Sequence, residues 1–176
     1  TTNEIVVPNG TMGDRHTNPQ KWNLRLENRN TGAKIDPRLS VFDQRQDVTV
    51  VKLPYFGDEE HEGVIERAIP TITVQTVDGP VKVTTVYDLI LANYGIDRGI
   101  GGEVATSYTD DTPYTPTWQE KITGVKADIA IATAREFADN AEKTKGRSMI
   151  IMGGGINHWY HADIIYRAIL NIIMFT

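Results

Sequence analysis

The sequence predicts an α/β fold. Three observations carry this: an alternating hairpin pattern near the middle, two amphipathic helical stretches in the last third, and between those stretches a short apolar run ending in three glycines. Helix, strand and helix in that order predict a layered unit in the C-terminal half. Residues 1–65 carry frequent turn signals and little periodicity, and read as an irregular, loop-rich segment with short strands. Residues 66–176 read as the α/β unit.

In chain order, turns are expected at Pro8-Asn9-Gly10, Asn18-Pro19, Asn30-Thr31-Gly32 and Asp36-Pro37, with short strands at Glu4–Val7 and Asp47–Leu53. The lone histidines His16 and His61 have polar neighbours and read as loop residues. Lys52-Leu53-Pro54-Tyr55-Phe56-Gly57 reads as a loop pinned onto a core. Ile72 and Val74 alternate with polar residues, Asp78-Gly79 makes the turn, and Val81 and Val83 return. Thr85-Val86-Tyr87-Asp88 has the form of an N-terminal cap, with Gly95 as the stop. Gly99–Asp111 reads as an exposed loop. Thr115-Pro116 caps a helix that holds Trp118 and Ile122 and ends at Gly124. The longer helix, about Lys126 to Lys145, is expected to bury Ile129, Thr133, Phe137 and Ala141, with Ala134 and Ala138 beside them. Ser148–Met152 is expected as a buried strand. The last helix is expected to turn Ile165, Ala168, Ile169, Ile172 and Ile173 inward.

With 176 residues, 40% hydrophobic and 23% charged, and a net charge of −5, the chain is globular and mildly acidic. That balance implies no general affinity for nucleic acid or anionic membrane. There is no cysteine, so a disulfide framework, a thiolate zinc site and a cysteine-ligated iron–sulfur cluster are excluded within this chain. No apolar run is long enough to span a bilayer. A start at Thr1 and a finish inside Ile172-Ile173-Met174-Phe175-Thr176 read as a piece of something larger.

The densest chemistry follows the apolar run. Gly153-Gly154-Gly155 leads into Asn157-His158-Trp159-Tyr160-His161, which concentrates two of the four histidines, an amide and two large aromatics. A strand, a glycine turn and a helix start place backbone N–H groups where open α/β folds bind ligands. The glycines do not make a dinucleotide fingerprint, because the third glycine position is His158 and a bulky residue there blocks close packing. A tight strand-to-helix turn with surface aromatics accounts for the spacing equally well. Trp159 and Tyr160 read as packing residues, and Arg167 as an ion-paired or exposed surface residue.

Several runs carry a resemblance. Thr123-Gly124-Val125, Ala134-Arg135-Glu136-Phe137-Ala138 and the strand–glycine–helix stretch resemble the molybdopterin oxidoreductase superfamily. Val7-Pro8-Asn9-Gly10, Pro54-Tyr55-Phe56-Gly57, Leu91-Ala92-Asn93-Tyr94-Gly95, Ala105-Thr106-Ser107-Tyr108 and Asn157-His158-Trp159-Tyr160-His161 resemble, within it, the respiratory membrane-bound nitrate reductase alpha-subunit family. The resemblance implies an internal piece of a catalytic subunit that holds molybdenum in two pterin guanine dinucleotides, plus an iron–sulfur cluster. It implies an iron–sulfur beta subunit and a cytochrome b gamma subunit as partners, and a place at the cytoplasmic face of the bacterial membrane. The family's cluster ligands and molybdenum-binding aspartate lie in segments this piece does not contain. No metal ligand is therefore nominated, and the isolated piece is expected to bind no metal and to be inactive. Relatives in the superfamily act on selenate, chlorate, dimethyl sulfide or formate, and a structural module without autonomous activity is the other reading.

Reducing nitrate needs donors facing an anion, since charge develops on the departing oxygen. His158 can donate near neutral pH and Asn157 offers an uncharged amide, so these two are the catalytic candidates. Gly153, Gly154 and Gly155 let a bulky cofactor approach without Cβ clashes, and His161 is a supporting residue on the cofactor side.

Overall fold

The computed structural model describes residues 6–9, 25–28, 30–35 and 39–176, with the backbone alone described at 6–9, 25–28 and 34–35. His16 and the turns at Asn18-Pro19 and Asp36-Pro37 lie outside the described residues. The chain divides into two compact units, Thr1–Ala127 and Asp128–Thr176.

Among its described residues the first unit holds two three-stranded antiparallel sheets. One is made of short strands β1 (Val6–Asn9), β2 (Arg25–Asn28) and β3 (Lys34–Ile35). The other comprises β4 (Asp47–Tyr55), β5 (Gly63–Thr76) and β6 (Gly79–Val83), with Asp47 opposite Thr71 and Thr76 opposite Gly79. The expected hairpin turn at Asp78-Gly79 is present, and Gly79 takes φ +110, a conformation that favours glycine. β5 carries the core. Its residues 67–71 are buried consecutively, which is the pattern of a strand covered on both faces. Ile65, Ala68 and Ile69, together with Ala92 and Trp118, form the apolar part of that core.

Helix α1 (Val86–Asn93) packs against β5. Thr85 caps it: its Oγ1 accepts from Asp88 N at 3.0 Å and donates to Asp88 Oδ2 at 2.7 Å. Helix α2 (Pro116–Thr123) starts on Thr115, whose hydroxyl accepts from Trp118 N, and ends on Gly124 in the left-handed conformation. Lys52–Tyr55, expected as loop, is instead the end of β4, because it pairs with β5, and Phe56 is exposed; the contact with a core is made to α2. Tyr55 meets Trp118 edge-on at 6.3 Å, and a methyl built on Gly57 would lie 2.7 Å from Ile122 Cδ1.

The second unit corrects part of the reading. Helix α3 (Ala127–Thr144) and helix α5 (Ala162–Phe175) form as expected, flanking a single turn α4 (Gly154–Asn157). Ser148–Met152, expected as a buried strand, is an irregular extended segment, with Met149 76% and Ile151 85% exposed. A strand exists only where a neighbour accepts its ladder, and among the described residues this segment has none. Ser148 Oγ ties it to α3, donating to Phe137 O and accepting from Asn140 Nδ2.

The inward stripes are corrected as well. On α3 only Ala141 is buried, Phe137 is half-buried, and Ile129, Thr133, Ala134 and Ala138 are exposed. On α5, Ile165 and Ile169 are half-buried while Ala168, Ile172 and Ile173 are exposed. Amphipathic period is written in one helix, but burial requires a second surface, and two helices and a loop do not supply one. Among the described residues no helix is long and apolar enough to cross a membrane.

Candidate functional site

The residues singled out from the sequence fall on one short stretch of the second unit. Gly153 precedes α4 in extended backbone, Gly154 and Gly155 open it, and Asn157 closes it. Ile156 N and Asn157 N both reach back to Gly153 O, at 3.0 and 3.4 Å. His158 is the residue on which the turn ends, and its ring lies over Gly154, whose added methyl would meet Nε2 at 3.8 Å. His161 precedes α5 in the left-handed conformation, φ +63, an uncommon state for a residue with a side chain.

The three glycines have no internal reason to be glycine. A methyl added at Gly153 or Gly155 would have nothing within 4 Å, the one at Gly154 would make an ordinary contact, and none of the three has positive φ. That leaves a bare, open backbone face beside Asn157 and His158. The two aromatics expected to pack do not. Trp159 is 68% and Tyr160 88% exposed, and Tyr160 lies edge-on against the His161 ring at 4.3 Å. The whole stretch from Gly153 to His161 faces outward except for Ile156, which is half-buried.

One participant was not visible from sequence. The Tyr166 hydroxyl on α5 donates to Asn157 Oδ1, a contact nine residues apart that exists only because α5 folds back over α4.

Two polar features of the first unit also escape a linear reading. Asp88 is fully buried and accepts from Ser40 Oγ at 2.6 Å, Val41 N at 2.9 Å, Thr85 Oγ1 at 2.7 Å and Arg98 Nη1 at 2.7 Å. Burial alone would raise its pKa, but these four donors outweigh that and hold the carboxyl below the usual range. Arg67 is 1% exposed, and its three guanidinium nitrogens have no hydrogen-bond partner among the described residues. Desolvation lowers its pKa, opposed by the charge of nearby Glu103. Its guanidinium presses on Gly95, where an added methyl would lie 2.8 Å from Nη2. A cavity of about 620 Å³ in this unit is walled by Tyr94, Gly95, Tyr108 and Tyr114 and contains none of the sequence-predicted site residues.

The sequence has no cysteine, and among the described residues no three His, Asp or Glu side chains converge. Without cysteine the chain supplies no thiolate ligand for an iron–sulfur cluster. The open glycine face does fit the close approach of a large cofactor body.

No protein-family model matches the chain. It is 48% identical over 98% of its length to the nitrate reductase alpha chain of Bacillus subtilis (strain 168), of which it covers 14%. It is 46% identical over 99% of its length to the respiratory nitrate reductase 1 alpha chain of Escherichia coli (strain K12), of which it covers 15%. Similarity to the perchlorate reductase subunit alpha of Dechloromonas aromatica (strain RCB), at 48% identity, is confined to 31% of the chain. The chain therefore spans about a seventh of the length of the curated alpha chains that it matches from end to end, and it is a segment of the nitrate reductase alpha-chain family.

Proposed function

We propose that this chain forms one wall of the substrate pocket in a nitrate-reducing catalytic subunit, with Asn157 and His158 facing the substrate and Gly153–Gly155 facing the cofactor. The observation that carries this reading is the open glycine face beside Asn157 and His158, which nothing within the chain requires. Nitrate is favoured over other oxyanions because the similarity to nitrate reductases runs along nearly the whole chain, against less than a third for the perchlorate enzyme.

The reaction is nitrate plus two electrons and two protons giving nitrite and water. The molybdenum–bis(molybdopterin guanine dinucleotide) centre, held by segments outside this chain, supplies the two electrons. What this chain adds is donors. Asn157 offers amide N–H groups to the anion. His158 donates toward the oxygen that leaves, where charge develops during N–O cleavage. His161 supports the turn on the cofactor side. In the same reading the partners are the rest of the alpha subunit, an iron–sulfur beta subunit and a cytochrome b gamma subunit, at the cytoplasmic face of the bacterial membrane. The isolated chain catalyses nothing.

The test uses the complete enzyme. His158→Ala is expected to lower turnover about a hundredfold with bound molybdenum intact, and His161→Ala to cost less. If these residues only stabilise the turn, folded yield and molybdenum fall together while activity per molybdenum stays constant. An unchanged normalised rate for His158→Ala removes its catalytic role.

A further inference from the structure

Asn157 closes a single helical turn and is exposed, a setting in which a side-chain amide ordinarily rotates. Here the Tyr166 hydroxyl donates to its Oδ1. A side-chain amide has one oxygen, which accepts, and one NH₂, which donates twice. Engaging the oxygen decides which end of the amide faces α5 and turns the nitrogen away from it. Nδ2 has no partner among the described residues. Tyr166 is itself half-buried on α5, and His161, which precedes that helix, is in the left-handed conformation.

We infer that Tyr166 is a positioning residue: it holds the Asn157 amide so that both N–H donors point to the bound oxyanion. A freely rotating amide would present its oxygen to the anion part of the time, and that orientation repels it. The inference rests on the reading above that Asn157 faces substrate. It extends that reading to a residue whose own hydroxyl points at Asn157 and not at nitrate.

Three variants of the complete enzyme test this: Tyr166→Phe, Asn157→Ala and the double variant, with Asn157→Asp as a fourth. Tyr166→Phe keeps the ring and removes only the hydroxyl. It is expected to lower kcat/KM for nitrate about tenfold per bound molybdenum, with folded yield and molybdenum content unchanged. The same change in an Asn157→Ala background is expected to have no further effect, because the group it orients is gone. Asn157→Asp keeps an oxygen for Tyr166 but has no N–H donor, and is expected to be at least as impaired as Asn157→Ala. If Asn157→Ala impairs the enzyme while Tyr166→Phe does not, the positioning role is overturned and the pocket reading stands. Equal losses from Tyr166→Phe in both backgrounds also overturn it, since the tyrosine then acts independently. Full activity in Asn157→Asp shows that no amide donor is needed and overturns it too. Full activity in both Asn157→Ala and Tyr166→Phe overturns the inference together with Asn157's place in the pocket.

Discussion

Two buried charges show opposite solutions to one problem. Asp88 has no exposure and is satisfied by four donors drawn from three stretches of chain, Ser40–Val41, Thr85 and Arg98. Arg98 is in turn held with its guanidinium carbon 4.9 Å from the Phe42 ring centre, on which Arg45 also lies. Arg67 is equally buried without an acceptor among the described residues, and the nearby negative charge of Glu103 only partly offsets its desolvation. Removing the Asp88 carboxylate leaves the Arg98 charge and two hydroxyls facing nothing, so Asp88→Ala is expected to cost about 3 kcal/mol in urea unfolding at neutral pH. The sign with pH follows from its lowered folded pKa. The unfolded state binds the proton more readily, so the carboxylate's contribution is present above the ordinary value of 3.8 and is lost as pH falls through the folded one. Wild-type stability is therefore expected to fall below about pH 4, with a shallower fall in Asp88→Ala; parallel acid limbs in the two proteins would contradict this.

Among elements, those with local reasons to exist are the ones that form as read. Thr85 and Thr115 cap α1 and α2, Pro116 pre-sets the first turn of α2, and Gly124 ends it with φ +72. Ser148–Met152 is the counterexample. Its composition is that of a strand, yet its backbone lacks a ladder partner among the described residues, and Met149 and Ile151 stand in solvent while Ile150 and Met152 are half-buried. Hydrogen exchange on the 176-residue chain checks this directly. Amides of residues 149–152 are expected to exchange at close to unprotected rates, and those of residues 65–71 in β5 to be the slowest of the strands. Protection of the former equal to β5 would mean that the segment has found a partner.

For the molecule as a whole, the two units differ in how far they complete themselves. The first builds a core on β5 with helices and aromatics around it. The second leaves Ile164, Leu170, Ile172, Ile173, Met174 and Phe175 exposed along α5, and it carries the candidate site. In the proposed function those surfaces and the glycine face are covered by the remaining subunit, since the alpha chains it matches are about seven times longer. Gly153→Ala and Gly155→Ala then separate internal from external demands. Neither position has positive φ or a neighbour within reach of a new methyl, so unfolding of the isolated chain is expected to change by less than about 1 kcal/mol. In the complete enzyme the same methyls are expected to lower bound molybdenum. Undiminished molybdenum in both variants would remove the cofactor-facing role of this turn.

The sequence by itself determined the α/β class, the hairpin at Asp78-Gly79, and the helix ends at Thr85, Thr115-Pro116, Gly124 and Gly95. Caps, turns and glycine stops work through contacts within about four residues, so a linear reading reaches them. Only the tertiary structure decided that Arg67 and Asp88 are buried, that Ser148–Met152 finds no ladder partner among the described residues, and that Tyr166 reaches Asn157. Each of these depends on a second surface: a ladder neighbour, a covering layer, or a helix folded back across a turn. Composition can prepare a residue for such a partner, but burial, strand pairing and side-chain orientation are properties of the pair, and only the folded chain brings the pair together.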